Sequence, residues 1–411
     1  MTAPDPALAL LTPEAVRERC GMVFDLAVEG KTRHFALDLA RLDDAATRVV
    51  AEIRANYPDG KVPLHSRWRH FELNGRDLWR DVLPARPAYA TDELARASMD
   101  LAALSVLLDA GAGAEWRYSD RATGATLGRS EGLALASLRL FESGVLSSEP
   151  HADPLRVDWA PLAGLTADEL ARAFQVSSIN PLLGLEQRAQ LLNNLARAMA
   201  DAPSVFSRDG VIRFGHLYDY LKAQAVGGKI PARLILVTLL RYLGAAWPGA
   251  RRVADVVIAD AGDYAPLSDC GAADGIVPFH KLSQWLSYSL IEPLEQAGLT
   301  VIDLDGLTGL AEYRNGGLFI DAQVLCLKDP EDRERVHKPT DELIVEWRAL
   351  TVILLDRVAA RVREMLGADE RSLPLGAVLQ GGTWTAGRRI AADLRPGGIP
   401  PLKIAADGTL F

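Results

Sequence analysis

Two stretches of the chain concentrate side chains that can move protons or hold anions. In the first, from Val277 to Glu295, His280, Gln284 and Ser287 recur at i, i+4 and i+7, while Phe279, Leu282, Leu286 and Leu290 supply an apolar stripe. That is the pattern of an amphipathic helix. Lys281, Trp285, Tyr288 and Glu292 form a second line of mixed polar and aromatic character beside it. An imidazole that titrates near neutral pH, together with an amide and an ammonium, suits acid–base work on a polar small molecule. A helix with a solvated face and one satisfied histidine accounts for the same residues.

The second stretch runs from Leu310 to Asp321. Asn315, Gly316 and Gly317 offer the positive-φ residues of a tight turn, so the spacing predicts a hairpin whose first strand puts Glu312 and Arg314 on one face. Asp321 interrupts the apolar run that follows. A buried carboxylate is costly unless it is hydrogen-bonded or paired, so this stretch reads as part of a substrate-binding site, with a structural Glu–Arg pair at a sheet edge as the alternative.

A third group, His65, Ser66, Arg67, Trp68, Arg69 and His70, puts two guanidiniums and two imidazoles within six residues. Arginine grips phosphate through a planar fork of donors, so this island reads as an anion pocket with Trp68 as a wall, or as a solvated basic loop paired with the chain's own carboxylates. Gly381, Gly382, Thr383 and Trp384, followed by Gly387, Arg388 and Arg389, lack the Gly-Lys-Ser/Thr ending of a phosphate-binding loop and read more readily as a turn that lets a tryptophan pack. No His-Glu-x-x-His is present, and Asp263, Asp269 and Asp274 are too loosely spaced for a calcium loop. Neither a metal nor a cofactor is expected.

These residues need elements to hold them. With 411 residues, 49% of them hydrophobic and 24% charged, the chain can bury a large core. A net charge of −9 argues against a broad nucleic-acid or anionic-membrane surface, so any phosphate site is a local pocket. The three cysteines, Cys20, Cys270 and Cys326, form neither a disulfide framework nor a Cys-x-x-Cys pair, and no signal core or long apolar run appears, so a cytoplasmic setting is expected. Helical spacing recurs through Tyr89–Ala110, Leu185–Ala200, 231–244 and Thr340–Leu366, and Thr166 with Glu169 makes a capping-box pattern. The fold class expected is mainly α with a few short strands and hairpins. The Pro-bearing passage near Pro154 divides an N-terminal mainly helical module, 1–155, from a helical module, 156–411. The sequence leaves the oligomeric state open.

Four of these motifs, His65 to His70, Val277 to Gln284, Glu312 to Gly317 and Gly381 to Trp384, make the chain resemble the bacterial and fungal family related to uracil-catabolism protein four, over almost its whole length. The resemblance implies a place in a pathway that opens the ring of a uracil ribotide and releases urea, and so a step that breaks a ribose–urea bond. A fainter resemblance of residues 160–411 to the queuosine salvage N-glycosylases rests on His280–Gln284 and on Glu312 with Arg314, and implies a helical core related to DNA glycosylases. The aspartate that family carries before its aromatic–basic pair falls on Phe279 here.

Cleaving an N-ribosyl bond passes through an oxocarbenium-like centre, which needs a carboxylate near the anomeric carbon and a proton for the leaving nitrogen. The expected catalytic residues are Glu312, Asp321 and His280. The expected substrate-binding residues are Lys281, Gln284, Trp285, Tyr313, Arg314, His65, Arg67, Arg69 and His70. The expected partner is a phosphorylated ribosyl small molecule, not nucleic acid or membrane. A non-catalytic partner that binds a pathway nucleotide or enzyme, and an amidohydrolase acting on the ureido carbonyl, are the alternatives.

Overall fold

The computed structural model describes residues 6–83, 91–247, 250–268 and 275–405. Cys270, Asp269, Asp274 and the tail from Ala406 to Phe411 lie outside the described residues. The fold is mainly α, with short two-stranded pairings between the helices. No helix among the described residues is long and apolar enough to cross a membrane.

The chain forms two compact units, each assembled from separated segments. Of the described residues, 6–65, 251–268, 275–284 and 303–405 make the first; 66–83, 91–247, 250 and 285–302 make the second, so residues 155 and 156 fall within the same unit.

In the first unit, the 25-residue helix Glu342–Leu366 spans about 37 Å at 1.5 Å per residue, and side chains all along it are buried. It stops at Gly367, whose φ of +65° is the left-handed conformation that ends helices and that glycine adopts without a Cβ penalty. Helices Pro13–Val28 and Leu42–Asn56 pack on it. Pro13–Val28 begins with the Thr12 side chain accepting the Ala15 N–H at 3.1 Å and Pro13 in the first turn, where a missing N–H costs nothing. Buried Glu346, on the long helix, accepts the N–H groups of Arg33, His34 and Phe35 and the Tyr264 hydroxyl at 2.7–3.0 Å, so its charge is fully hydrogen-bonded.

The second unit holds the Thr91–Leu107, Arg129–Glu142, Leu185–Asp201 and Ala232–Leu243 helices. The Thr166–Glu169 capping box is present, opening the helix Ala167–Ala173. Arg213 is fully buried here and bonds the equally buried Asp100 at 2.6 Å. Short antiparallel hairpins pair Tyr118–Ser119 with Thr126–Leu127 and Ser207–Arg208 with Val211–Ile212.

One expected element is different. Residues Tyr313–Asp321 form a helix, not a hairpin, and Glu312 is its N-cap. Gly316 and Gly317 are not turn residues but contact residues: a Cβ on Gly316 would stand 2.8 Å from both Trp347 and Thr351, and one on Gly317 would stand 3.2 Å from Pro401. The missing side chain at Gly316 lets this helix approach the long helix closely, and the Trp347 indole N–H reaches the Gly316 carbonyl at 3.1 Å. Glu312 and Arg314 therefore do not share a strand face.

Candidate functional site

The segment that carries His280 is fixed by Asp260. Strands Ala261–Asp263 and Ile276–Pro278 pair antiparallel, bringing the residue before the first strand beside the residues after the second. The Asp260 carbonyl accepts the N–H groups of Phe279 and His280 at 2.8 and 3.0 Å, and its carboxylate accepts the Lys281 N–H at 2.9 Å. Arg348 clasps the same carboxylate at 2.8 and 2.6 Å and lies over the Phe279 ring, 4.0 Å from its centroid. Burial pushes the Asp260 carboxyl up, but the Arg348 charge and hydrogen bonds more than offset this and hold it below the usual carboxylate range.

His280 sits at φ +50°, just before the Lys281–Gln296 helix, and is 0% exposed. Its Nε2 donates to the Leu10 carbonyl at 2.9 Å, which leaves Nδ1 as the ring's acceptor, with no hydrogen-bond partner among the described residues. Desolvation pulls the imidazole below its ordinary value, more than the Leu10 bond and the Asp260 charge raise it, so the ring is neutral at neutral pH. One turn on, Gln284 is also 0% exposed. Its Oε1 accepts the Thr308 N–H at 3.2 Å, which fixes the amide's orientation, and its Nε2 has no partner among the described residues. A buried acceptor and a buried donor are thus left open on the same segment.

Glu312 caps the helix Tyr313–Asp321 with both carboxylate oxygens, taking the Arg314 N–H at 2.7 Å and the Asn315 N–H at 2.5 Å. Desolvation pushes its carboxyl above the usual range; the two N–H bonds and the charges of Lys281 and Arg314 pull the other way without cancelling it. Lys281 thus connects the two pieces, through its backbone to Asp260 and through its charge to Glu312. Arg314 donates to the Gly398 carbonyl at 2.8 Å and lies over the Tyr313 ring at 4.9 Å. Asn315 is held by Thr383 at 2.8 Å and holds the Leu310 carbonyl at 3.1 Å.

The remaining expected residues have partners of their own. Asp321 ends the helix that Glu312 begins, about 13 Å along the axis at 1.5 Å per residue, and its carboxylate is bound on both oxygens by Arg395 at 2.8 and 2.5 Å. His65 belongs to the first unit and pairs through Nδ1 with Gln380 Oε1 at 3.0 Å. Arg67, Arg69, His70 and Trp285 belong to the second. There Arg67 is fully buried, donating from Nε to Ser105 at 2.7 Å, with Asp109 at 3.0 Å from Nη1 and the Trp285 ring 5.7 Å away. Arg69 reaches Glu292 at 2.6 Å and Glu72 at 2.9 Å, and His70 meets Trp285 edge-on with ring centroids 6.3 Å apart. Gly381 and Gly382 are packing glycines: a Cβ on either would stand within 2.7 Å of Val62 or Val49.

Asp260 and Arg348 were not singled out from sequence. The one available signal was the position of Asp260 at the head of the polar loop that leads into the His280 helix. Among the described residues no three His, Cys, Asp or Glu side chains come together in a way that could hold a metal ion.

Comparison with known proteins adds a family. Residues 9–411 match the family described as Protein of unknown function (DUF1688). The chain is 36% identical over 446 aligned residues to Uracil catabolism protein 4 of Lachancea kluyveri, covering 100% of each. It is 38% identical over 411 residues to Protein urg3 of Schizosaccharomyces pombe, covering 98% of each.

Proposed function

The chain belongs to the family described as Protein of unknown function (DUF1688), and on that premise we propose that it acts in uracil catabolism as a hydrolase that cleaves the N-glycosidic bond of a phosphorylated ribosyl urea. The name of the Lachancea kluyveri relative supports the pathway. The observation that carries the chemistry is the pair of open polar atoms on one buried segment, His280 Nδ1 as acceptor and Gln284 Nε2 as donor, a segment whose Lys281 charge acts on Glu312, a carboxyl that burial raises above the usual range. A buried polar atom without a partner costs free energy, and a ligand that supplies the partner recovers it.

In the proposed reaction Glu312 is the general acid. The C1′–N bond breaks, the departing urea nitrogen takes the Glu312 proton, and water adds to C1′. A carboxyl raised by burial suits that role, because urea is a poor leaving group without the proton. His280, neutral with its Nε2–H committed to Leu10, has the Nδ1 lone pair available to take the proton lost by the attacking water. Gln284 Nε2 would orient the ureido carbonyl, and the cations Lys281 and Arg314 are the first candidates for the substrate's phosphate. Incubating the purified chain with 1-(5-phosphoribosyl)urea and following free urea and ribose 5-phosphate tests the reading. Stoichiometric release of both supports it, and release of ammonia with the N-riboside retained would replace it with the amidohydrolase alternative.

A further inference from the structure

We propose that the cleft at the C-terminal end of the Tyr313–Asp321 helix is a separate binding site for an organic phosphate monoester of nucleotide size. The cleft has a volume of about 660 Å³, within the range of small-molecule sites. Arg41 and Arg48, with Asp44 and Thr47, come from the start of the Leu42–Asn56 helix; Arg333 comes from the turn Pro330–Arg333; Ile320, Ala322 and Leu394 supply an apolar lining.

Its charge balance points to an anion. Asp321, a lining residue, has its carboxylate 1% exposed and bound on both oxygens by Arg395, so it presents little free negative charge. Asp44 is the one carboxylate left facing the cleft, and it is paired with Arg41 at 3.3 Å. Among the described residues no carboxylate stands within ion-pair distance of Arg48 or Arg333, and Arg333 feels the charge of its neighbour Glu334, which does not line the cleft. The carbonyls at the helix end oppose an anion weakly, and three arginines lining one concave surface outweigh them. Guanidiniums fork onto phosphate oxygens, while Leu394, Ile320 and Ala322 give an organic body something to lie on. A bare inorganic anion would leave that apolar lining unused. The site lies at the opposite end of the helix from Glu312 and uses none of the residues assigned to the proposed reaction.

Isothermal titration of the full chain with uridine 5′-monophosphate and with uridine tests this. The monophosphate is expected to bind, more weakly as ionic strength rises, and uridine not to bind. In the double variant Arg48→Ala with Arg333→Ala, which changes two exposed side chains and should keep the parent's melting temperature, this binding event should weaken about tenfold or more, while Glu312→Gln should retain it. Unchanged affinity in the double variant, or no binding of the monophosphate by the parent chain, would overturn the proposal. Its fate is separable from that of the proposed reaction, because turnover on the ribosyl urea is expected to survive in the double variant and is measured independently of this binding.

Discussion

The Glu312 carboxylate receives the Asn315 backbone N–H at 2.5 Å, and Asn315 is itself held by the Thr383 hydroxyl at 2.8 Å. The acid proposed for the reaction is therefore fixed by its own helix and by a second one, in a place where its proton is favoured. A cap residue holds its position without a long flexible arm, which is what a proton donor to one substrate atom requires.

Glu312→Gln should lower turnover of a ribosyl urea phosphate by about two powers of ten. It should cost only about 1 kcal/mol of stability, the loss of part of a helix cap. Asp321→Asn is the contrasting variant. It removes the charge and one of the two acceptors that Arg395 holds, so it should destabilise by about 2 kcal/mol while leaving most of the turnover in the folded protein. Steady-state rates set beside chemical denaturation separate the two effects, and the reverse pattern would transfer the catalytic role to Asp321.

The pH dependence has two limbs. Because burial lowers the His280 pKa, the unfolded chain takes up a proton there more readily, so stability should fall as pH drops below the ordinary histidine value of about 6.5. Because burial raises the Glu312 pKa, the folded chain holds that proton more tightly, and stability should fall as pH rises from the ordinary carboxylate range through the raised value. Activity should fall on the alkaline side as Glu312 ionises. Whatever rate Glu312→Gln retains should lack that alkaline limb; a limb that persists in the variant belongs to another group.

Gly387→Ala should destabilise by about 2 kcal/mol or more. A Cβ there would stand 2.1 Å from the Arg314 carbonyl, a backbone atom that cannot swing away, so the Trp384–Leu394 helix would have to move off the Glu312-capped helix. Thermal or urea unfolding checks the stability, and a normal midpoint with the parent's turnover would contradict the close approach.

The local signals in the sequence were legible where one element decides its own form. The Lys281–Gln296 helix and the Thr166–Glu169 box each depend on residues within one or two turns, and both are present, but that helix buries its polar line, Ser283, Gln284 and Ser287, as fully as its apolar stripe, which the spacing did not foretell. Asn315, Gly316 and Gly317 misled because glycine satisfies two unrelated demands, a left-handed turn and a close helix contact, and only the position of Trp347 and Thr351 distinguishes them. The clasp of Arg348 on Asp260 joins residues 88 apart, and no period in the chain encodes such a pairing. The His65–His70 island, continuous in sequence, is divided after His65 between the two compact units.

Asp260→Asn should cost about 3 kcal/mol or more, because it leaves the buried Arg348 charge without its counter-ion. It also weakens the hold on the Lys281 N–H, so the folded fraction should show reduced activity. Denaturation midpoints and rates per folded molecule check both parts, and a variant as stable as the parent would mean that Arg348 finds another partner.

The most direct measurement is the reaction itself. Purified chain is mixed with 1-(5-phosphoribosyl)urea, and urea and ribose 5-phosphate are quantified together over time. Equal amounts of both are expected, formed at a rate that falls about a hundredfold in Glu312→Gln. No turnover by the folded parent chain on this or any other phosphorylated N-riboside would contradict it.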